Sequence, residues 1–444
     1  MVKAYKLHKI SGISAGLILL VLSISGFFLD HDKWSFLYTT TFSSVPSHIL
    51  QTENRLFTSY YQQQNNPKHI IVGGHRGLFE TLNGGIKFRK VASFQVLAIT
   101  PYLKTLYIAT SNGIYIYNKQ LKQIALAGDY ITAVSVTQDK IVAVVDKHEL
   151  VVLNRNTLKI LNKREVDIDK KLLKEDISLS RFVRDLHYGR GIFDDDVSLL
   201  INDYGAIVLT FLALSGYVIW ILIKRKKHPK FVRKLIKTHA NIFVIVAIFP
   251  FVILAVTGIF LDHASALSQF MRSVTIKHTI LPPIYSSLKS DIWSVDYDGK
   301  IYRIGNRYGI YKSKNLKDWS FDNRGFAYKM IRKHNNLYIS GMGAPNRVLE
   351  NGKYKVLKNT PHMFRDIVLQ NNTISYFSSM NHKGFKLPTF NDITLYTLLL
   401  NFHDGSFFSP WWVWINDFAA IILLILSATG FTKWQMLRNR NSSI

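Results

Sequence analysis

The sequence predicts a membrane-spanning helical unit joined to an all-β domain. Three observations carry this: four long apolar runs, Lys and Arg gathered at the ends of those runs, and an internal repeat of short alternating strands. The chain has 444 residues, 56 Lys+Arg against 29 Asp+Glu, and no Cys, giving a formal charge of +27. Without Cys there is no disulfide framework, Cys-held iron–sulfur cluster, thiol nucleophile or covalent c-type haem.

The apolar runs cover roughly 10–29, 204–223, 240–261 and 414–432. Each has about the 20 residues needed to cross a bilayer core. Lys3, Lys6 and Lys9 precede the first run. Lys224, Arg225, Lys226, Lys227, Lys230, Arg233, Lys234 and Lys237 lie between the second and third, and Lys433, Arg438 and Arg440 follow the fourth. None of these stretches contains Asp or Glu. The positive-inside rule then puts both termini and the 224–239 loop in the cytoplasm. These 14 cations account for about half of the +27, so the bilayer is the expected partner and nucleic acid is not. The first run is not read as a cleaved signal, because Phe27-Phe28-Leu29-Asp30-His31 offers no small-x-small site.

The chain reads as a tandem duplication. Ser25-Gly26-Phe27-Phe28-Leu29-Asp30-His31 matches Thr257-Gly258-Ile259-Phe260-Leu261-Asp262-His263, and Asn202-Asp203, Ser215-Gly216 and Trp220 match Asn416-Asp417, Thr429-Gly430 and Trp434. The expected order is helix 1–31, outer β segment 32–198, helix 199–223, basic loop 224–239, helix 240–263, outer β segment 264–410, helix 411–434 and tail 435–444. Parallel repeats of this kind place functional sites where the halves meet.

Each β segment has a shorter period of about 35 residues, with strands starting near Ile70, Tyr107 and Ile141 and again near Tyr302, Tyr338 and Ile374. Strand, Gly/Asn turn, strand at that spacing predicts propeller blades. Segments 77–88 and 309–319 also resemble, loosely, the Asp-box hairpins of sialidase-like propellers. Three units per half predict a six-bladed β-propeller closed from two three-blade halves, since open sheet edges are a liability. The alternative is two independent three-sheet domains.

Six of the 15 histidines recur in repeat-related pairs. His8 and His239 belong to the cytoplasmic ends of the first and third helices, and His31 and His263 to their outer ends. His187 and His403 precede the second and fourth helices. His8 and His31 are 23 residues apart, about 35 Å of helix, so they serve separate sites. Imidazole is the natural axial ligand of a b-type haem, and here it is the main strong ligand available. His8 with His239 could hold one haem, and His31, His263, His187 and His403 the outer ones, for two or three haem b in all. The structural alternative is that these are interfacial polar groups. Gly12, Gly16, Gly26 and Gly258 give room for a flat ring or for close helix packing. His8 precedes Gly26 by 18 residues but His239 precedes Gly258 by 19, so one helix must adjust, with Pro250 the available bend. Asp30 and Asp262 are candidates to orient a ligand, while Asn202-Asp203 and Asn416-Asp417 are expected to cap or to bridge helices. There is no flavin or NAD fingerprint, P-loop or H-E-x-x-H. An electron donor would have to be a quinol or a protein.

Leu7-His8-Lys9-Ile10-Ser11-Gly12, Leu186-His187-Tyr188-Gly189-Arg190-Gly191 and Ser215-Gly216-Tyr217-Val218-Ile219-Trp220 resemble the PepSY-associated transmembrane proteins. The resemblance implies haem in the membrane, points to His8, His187, His239 and His403, and suggests iron acquisition with reduction of ferric siderophores. No PepSY domain is found; the β units stand in its place. The leading expectation, with the bacterial inner membrane implied by the resemblance, is a haem b protein passing electrons outward to a periplasmic acceptor such as a ferric chelate, the remaining outer charge of +13 being suited to an anionic chelate. The other is a haem-free scaffold or assembly factor whose propeller binds partner proteins.

Overall fold

The computed structural model describes residues 2–288, 291–370, 373–379 and 382–441. It divides into two compact units. One is built of helices from 1–32, 178–276 and 396–444, and the other is a β unit from 33–177 and 277–395.

In the helical unit, α1 is Val2–Asp30, α2 Leu179–His187, α3 Asp195–Lys224, α4 Pro229–His239, α5 Ile242–Val246, α6 Ile248–Asp262, α7 Leu395–His403 and α8 Val413–Asn441. Among the described residues three helices are long and apolar enough to cross a membrane, over Lys6–Asp30, Asp196–Lys224 and Pro410–Met436. The third expected span is broken, with Pro229–Val246 meeting Ile248–Asp262 at 70°. The expected basic loop 224–239 is mostly the helix α4. The break falls just ahead of Pro250, which lacks the N–H that would bond the carbonyl of residue 246 and whose ring crowds that carbonyl. α2 and α7 were expected within the outer β segments, and instead they belong to the helical unit apart from Leu395. Ala15, Leu19, Leu209, Ala247, Phe251, Ala255, Ala419, Ile422 and Leu423 form the core where α1, α3, α6 and α8 meet. Gly16 is required there: a Cβ would lie 3.0 Å from the Tyr217 ring, whose hydroxyl donates to the Ile13 carbonyl at 3.1 Å.

Among the described residues the β unit holds five four-stranded antiparallel sheets, a two-stranded sheet at 366–377 and a short pair of Thr41–Phe42 with Ile393–Thr394. In chain order the larger sheets span 57–92, 96–125, 131–165, 294–324, 329–356 and 366–377. The second strand of the third sheet, Lys140–Val145, is buried on both faces from Ile141 onward, which explains its unbroken apolar run. The Ser111-Asn112-Gly113 turn needs its glycine, at φ 102°, because a Cβ there would meet the Leu126 carbonyl oxygen at 2.6 Å. The hairpin ends at 81–87 and 313–318 are built alike: Thr81 and Ser313 hydroxyls accept backbone N–H groups, and so do the Asn83 and Asn315 side chains.

Hydrogen bonds link the sheets in a circuit. The Ser59 hydroxyl of the first sheet accepts from Ile99 N of the second at 3.0 Å, and Thr100 donates to Val134 O of the third at 2.9 Å. Tyr297 N of the fourth donates to Ser135 at 3.0 Å, and Arg332 of the fifth donates to Asp296 of the fourth at 2.8 Å. Phe364 N, leading into the sixth sheet, donates to Ser340 of the fifth at 3.0 Å. The circuit returns through Ser59, which donates to the Asp366 carboxylate at 3.0 Å. Phe57, Tyr60, Val368 and Phe377 pack across this last junction. Lys329 of the fifth sheet reaches the Leu97 carbonyl of the second at 2.8 Å, so first strands of non-neighbouring sheets also meet. The β unit is therefore propeller-like.

Candidate functional site

Four of the six histidines come together as two pairs, both inside the helical unit. The His8 and His239 rings lie 6.5 Å apart, centroid to centroid, at 86°. The His187 and His403 rings lie 6.1 Å apart at 62°. His8 to Ser25, which touches the second pair, is 17 residues of α1, or about 26 Å along the axis. The pairs thus mark opposite ends of the helices.

Each ring is held in the same way. Nδ1 of His8 bonds Thr429 Oγ1 at 2.9 Å, and Nδ1 of His239 bonds Ser215 Oγ at 2.8 Å. Nδ1 of His187 bonds Thr257 Oγ1 at 3.0 Å, and Nδ1 of His403 bonds Ser25 Oγ at 2.9 Å. These hydroxyls have only one proton each, and each donates it to a carbonyl of its own helix. Ser25 donates to Val21 at 2.6 Å, Thr257 to Ile253 at 2.6 Å, Thr429 to Ile425 at 2.8 Å and Ser215 to Leu212 at 3.3 Å. With its proton used there, each hydroxyl oxygen is left to accept from the imidazole, which assigns the proton to Nδ1 and the lone pair to Nε2. That is the tautomer a metal-binding imidazole needs.

The glycine after each hydroxyl makes room for the ring. A Cβ on Gly26 would lie 3.2 Å from His403 Cε1, and one on Gly258 would lie 3.6 Å from His187 Cε1. Gly216 and Gly430 stand in the same relation to His239 and His8, at 3.8 and 3.9 Å. Gly26 and Gly258 therefore admit imidazoles rather than a macrocycle directly. Asn202 and Asn416 bridge as expected, donating to the backbone carbonyls of His187 at 2.9 Å and His403 at 3.0 Å. Asp30 acts one step further back, accepting from Asn202 at 3.1 Å.

His31 and His263, also expected at outer haem sites, lie against carboxylates. His31 bonds the Phe27 carbonyl through Nδ1 at 2.8 Å and faces Asp203 through Nε2 at 3.5 Å. His263 Nε2 lies 2.7 Å from Asp417. In both repeats a carboxylate of another helix faces Nε2, at 2.7 Å on His263 and at 3.5 Å on His31.

The donor set fits haem iron. The ring spacing of each pair leaves room between the two imidazoles for one metal, which bis-imidazole ligation of haem iron would use. Among the described residues no three His, Asp or Glu side chains converge as a metal cage, and a bis-imidazole haem needs only two. Beside His8 and His239 lies a cavity of about 570 Å³. Gly12, Leu19, Leu212, Tyr217, Trp220 and Phe251 are among its walls, with Lys9, Lys224 and Lys433 also lining it. Apolar walls with a few placed cations suit an amphipathic ring bearing carboxylates.

The fold and this site define a multi-pass membrane protein with a propeller-like domain. The chain belongs to the family described as the PepSY-associated TM region, whose model matches residues 5–436. No curated protein matches it. Among solved structures it is similar to the extracellular domain of a one-component system from B. thetaiotaomicron, at 9% identity and a TM-score of 0.36, covering 76% of this chain and 32% of that one. It is also similar to YCF48 from Cyanidioschyzon merolae, at 10% identity and a TM-score of 0.31, covering 68% and 72%. The Neurospora crassa Pan2 WD40 domain aligns at 8% identity and a TM-score of 0.29, covering 72% and 85%. The chain spans about a third of the length of the first of these structures.

Proposed function

We propose that the protein is an inner-membrane b-type haem protein that carries electrons from a quinol or protein donor towards an acceptor on the outer side, an anionic ferric chelate being the class of substrate. The observation that supports it is the pairing of four tethered imidazoles, whose Nδ1 bonds assign the free lone pair to Nε2. His8 and His239 would hold one haem and His187 and His403 a second. Bound there, haem iron would supply one-electron chemistry at each end of the helices. The residues of the chain do the rest. Ser25, Thr257, Ser215 and Thr429 fix the ligand tautomer, Asn202 and Asn416 anchor the outer ligands, and Lys9, Lys224 and Lys433 offer charge to carboxylates at the inner cavity.

The apolar part of the bent pair, Ile242–Val246 followed by Ile248–Asp262, is read as the fourth crossing, with α4 ahead of it. The linked sheets are read as one six-bladed ring, on the outer side by the positive-inside rule.

Purified protein tests this directly. We expect a Soret band, a pyridine haemochrome of the b type, and about two haems per chain. H239A and H403A should each lower that number by about one. Protein loaded in a haem-replete host that shows no haemochrome, or haem content unchanged in both variants, overturns the reading.

A further inference from the structure

A strongly charged surface remains that haem binding does not use. α4 has 11 residues, and its sequence sorts cleanly around the helix. At about 100° per residue, Phe231, Val232, Leu235, Ile236 and His239 share one face, with His239 near its middle. Lys230, Arg233, Lys234 and Lys237 fall together on the opposite face. The fold respects this division: Val232 is buried, Leu235 and Ile236 are half-buried, and all four cations are exposed. Phe231, at the edge of the apolar face, is also exposed at 53%.

The cations have no acidic counterpart. The chain has no Asp or Glu between Asp203 and Asp262. Among the described residues none of the eight cations from Lys224 to Lys237 pairs with a carboxylate. Membrane topology asks only for positive charge on this side, wherever it falls. It does not ask for a helix with its cations along one face and its apolar residues on the other. An 11-residue helix of about 16 Å cannot cross the bilayer, and the 70° bend frees it from the direction of α6.

We propose that α4 lies along the membrane surface and binds the phosphate headgroups of anionic phospholipids through Lys230, Arg233, Lys234 and Lys237, with Phe231 entering the acyl boundary. Charge complementarity selects the occupant. A row of cations lacking internal partners meets headgroups that carry the missing negative charge, at the depth where an amphipathic helix rests. The same helix ends on His239, so lipid bound to its outer face steadies the element that presents this imidazole. The lipid site stands without haem.

The test uses full-length protein in a neutral detergent, incubated with phosphatidylglycerol or with phosphatidylcholine and freed of unbound lipid by gel filtration. Lipid retained per chain is then counted by native mass spectrometry. We expect phosphatidylglycerol to be retained several-fold more than phosphatidylcholine. K230Q/R233Q/K234Q/K237Q should reduce the phosphatidylglycerol at least threefold, and K230R/K234R/K237R should preserve it. A control quadruple variant on the β unit, K87Q/K122Q/K163Q/K353Q, should leave retention unchanged. Equal retention of the two lipids overturns the proposal, as does retention unchanged by the α4 glutamines. Displacement of the lipid by millimolar inorganic phosphate alone would make this a free-anion site and also overturn it. Because lipid is counted directly, these outcomes do not depend on whether haem is present.

Discussion

At the residue scale, a hydroxyl decides the chemistry of each imidazole. Removing it should therefore cost ligand quality without removing the ligand. T257V keeps the shape of the threonine but loses the acceptor for His187 Nδ1–H. Support groups of this kind are worth roughly 10–100-fold in metal affinity. We expect T257V to lose haem from the outer pair on dilution and T257S to retain it, measured as haem per chain by pyridine haemochrome. Lys329, in the β unit, offers a test unrelated to the helices. Burial, with Arg365 nearby, pulls its ammonium down from the ordinary 10.5 to about 8. The unfolded chain then binds more protons between about pH 8 and 10.5, so this residue makes stability rise with pH across that window and contributes no slope below it. K329M should remove that part of the slope when the melting temperature of the β unit is followed from pH 7.5 to 10.5.

At the element scale, close approach between helices rests on small residues. G16V would drive a branched side chain into the Tyr217 ring, now 3.0 Å from the Cβ position. Overpacking of this sort costs about 1–3 kcal/mol, and we expect a lower melting temperature in detergent with the β unit intact by circular dichroism. G26V crowds His403 and should instead strip haem from the outer pair selectively. The helices and the β units could be read from the sequence because their signals are local: apolar runs, flanking cations, and a strand–turn period. The pairing of His8 with His239, and the four Ser/Thr-Gly steps as repeat-matched positions, were visible too. The role of the hydroxyls was not, because it depends on residues up to 421 positions apart meeting across helices. The carboxylates that face His31 and His263 come from other helices for the same reason. α4 was hidden because a run of Lys and Arg looks like a loop until its apolar residues are placed on a helical wheel.

At the scale of the whole molecule, the β unit depends on the junction between its first and last sheets. Asp366 is buried there, accepting from Ser59 Oγ and Tyr60 N. D366A leaves both donors without their acceptor and should cost about 2 kcal/mol. Chemical denaturation of the full chain, followed by tryptophan fluorescence, would register it. D366N, which keeps one acceptor oxygen, should cost less.

The histidine tethers have a consequence for how such a chain came to exist. His8 and His187, from the first half, are held by Thr429 and Thr257 of the second. His239 and His403, from the second, are held by Ser215 and Ser25 of the first. No half satisfies its own ligands, yet each donates what the other lacks at matching positions. Two copies of a single half, docked about a two-fold axis, would complete the same four tethers in an isologous interface. The duplicated gene thus reads as a fused homodimer. Fragments 1–226 and 227–444, expressed together, should find each other in the membrane and co-purify, while either fragment expressed alone should not accumulate.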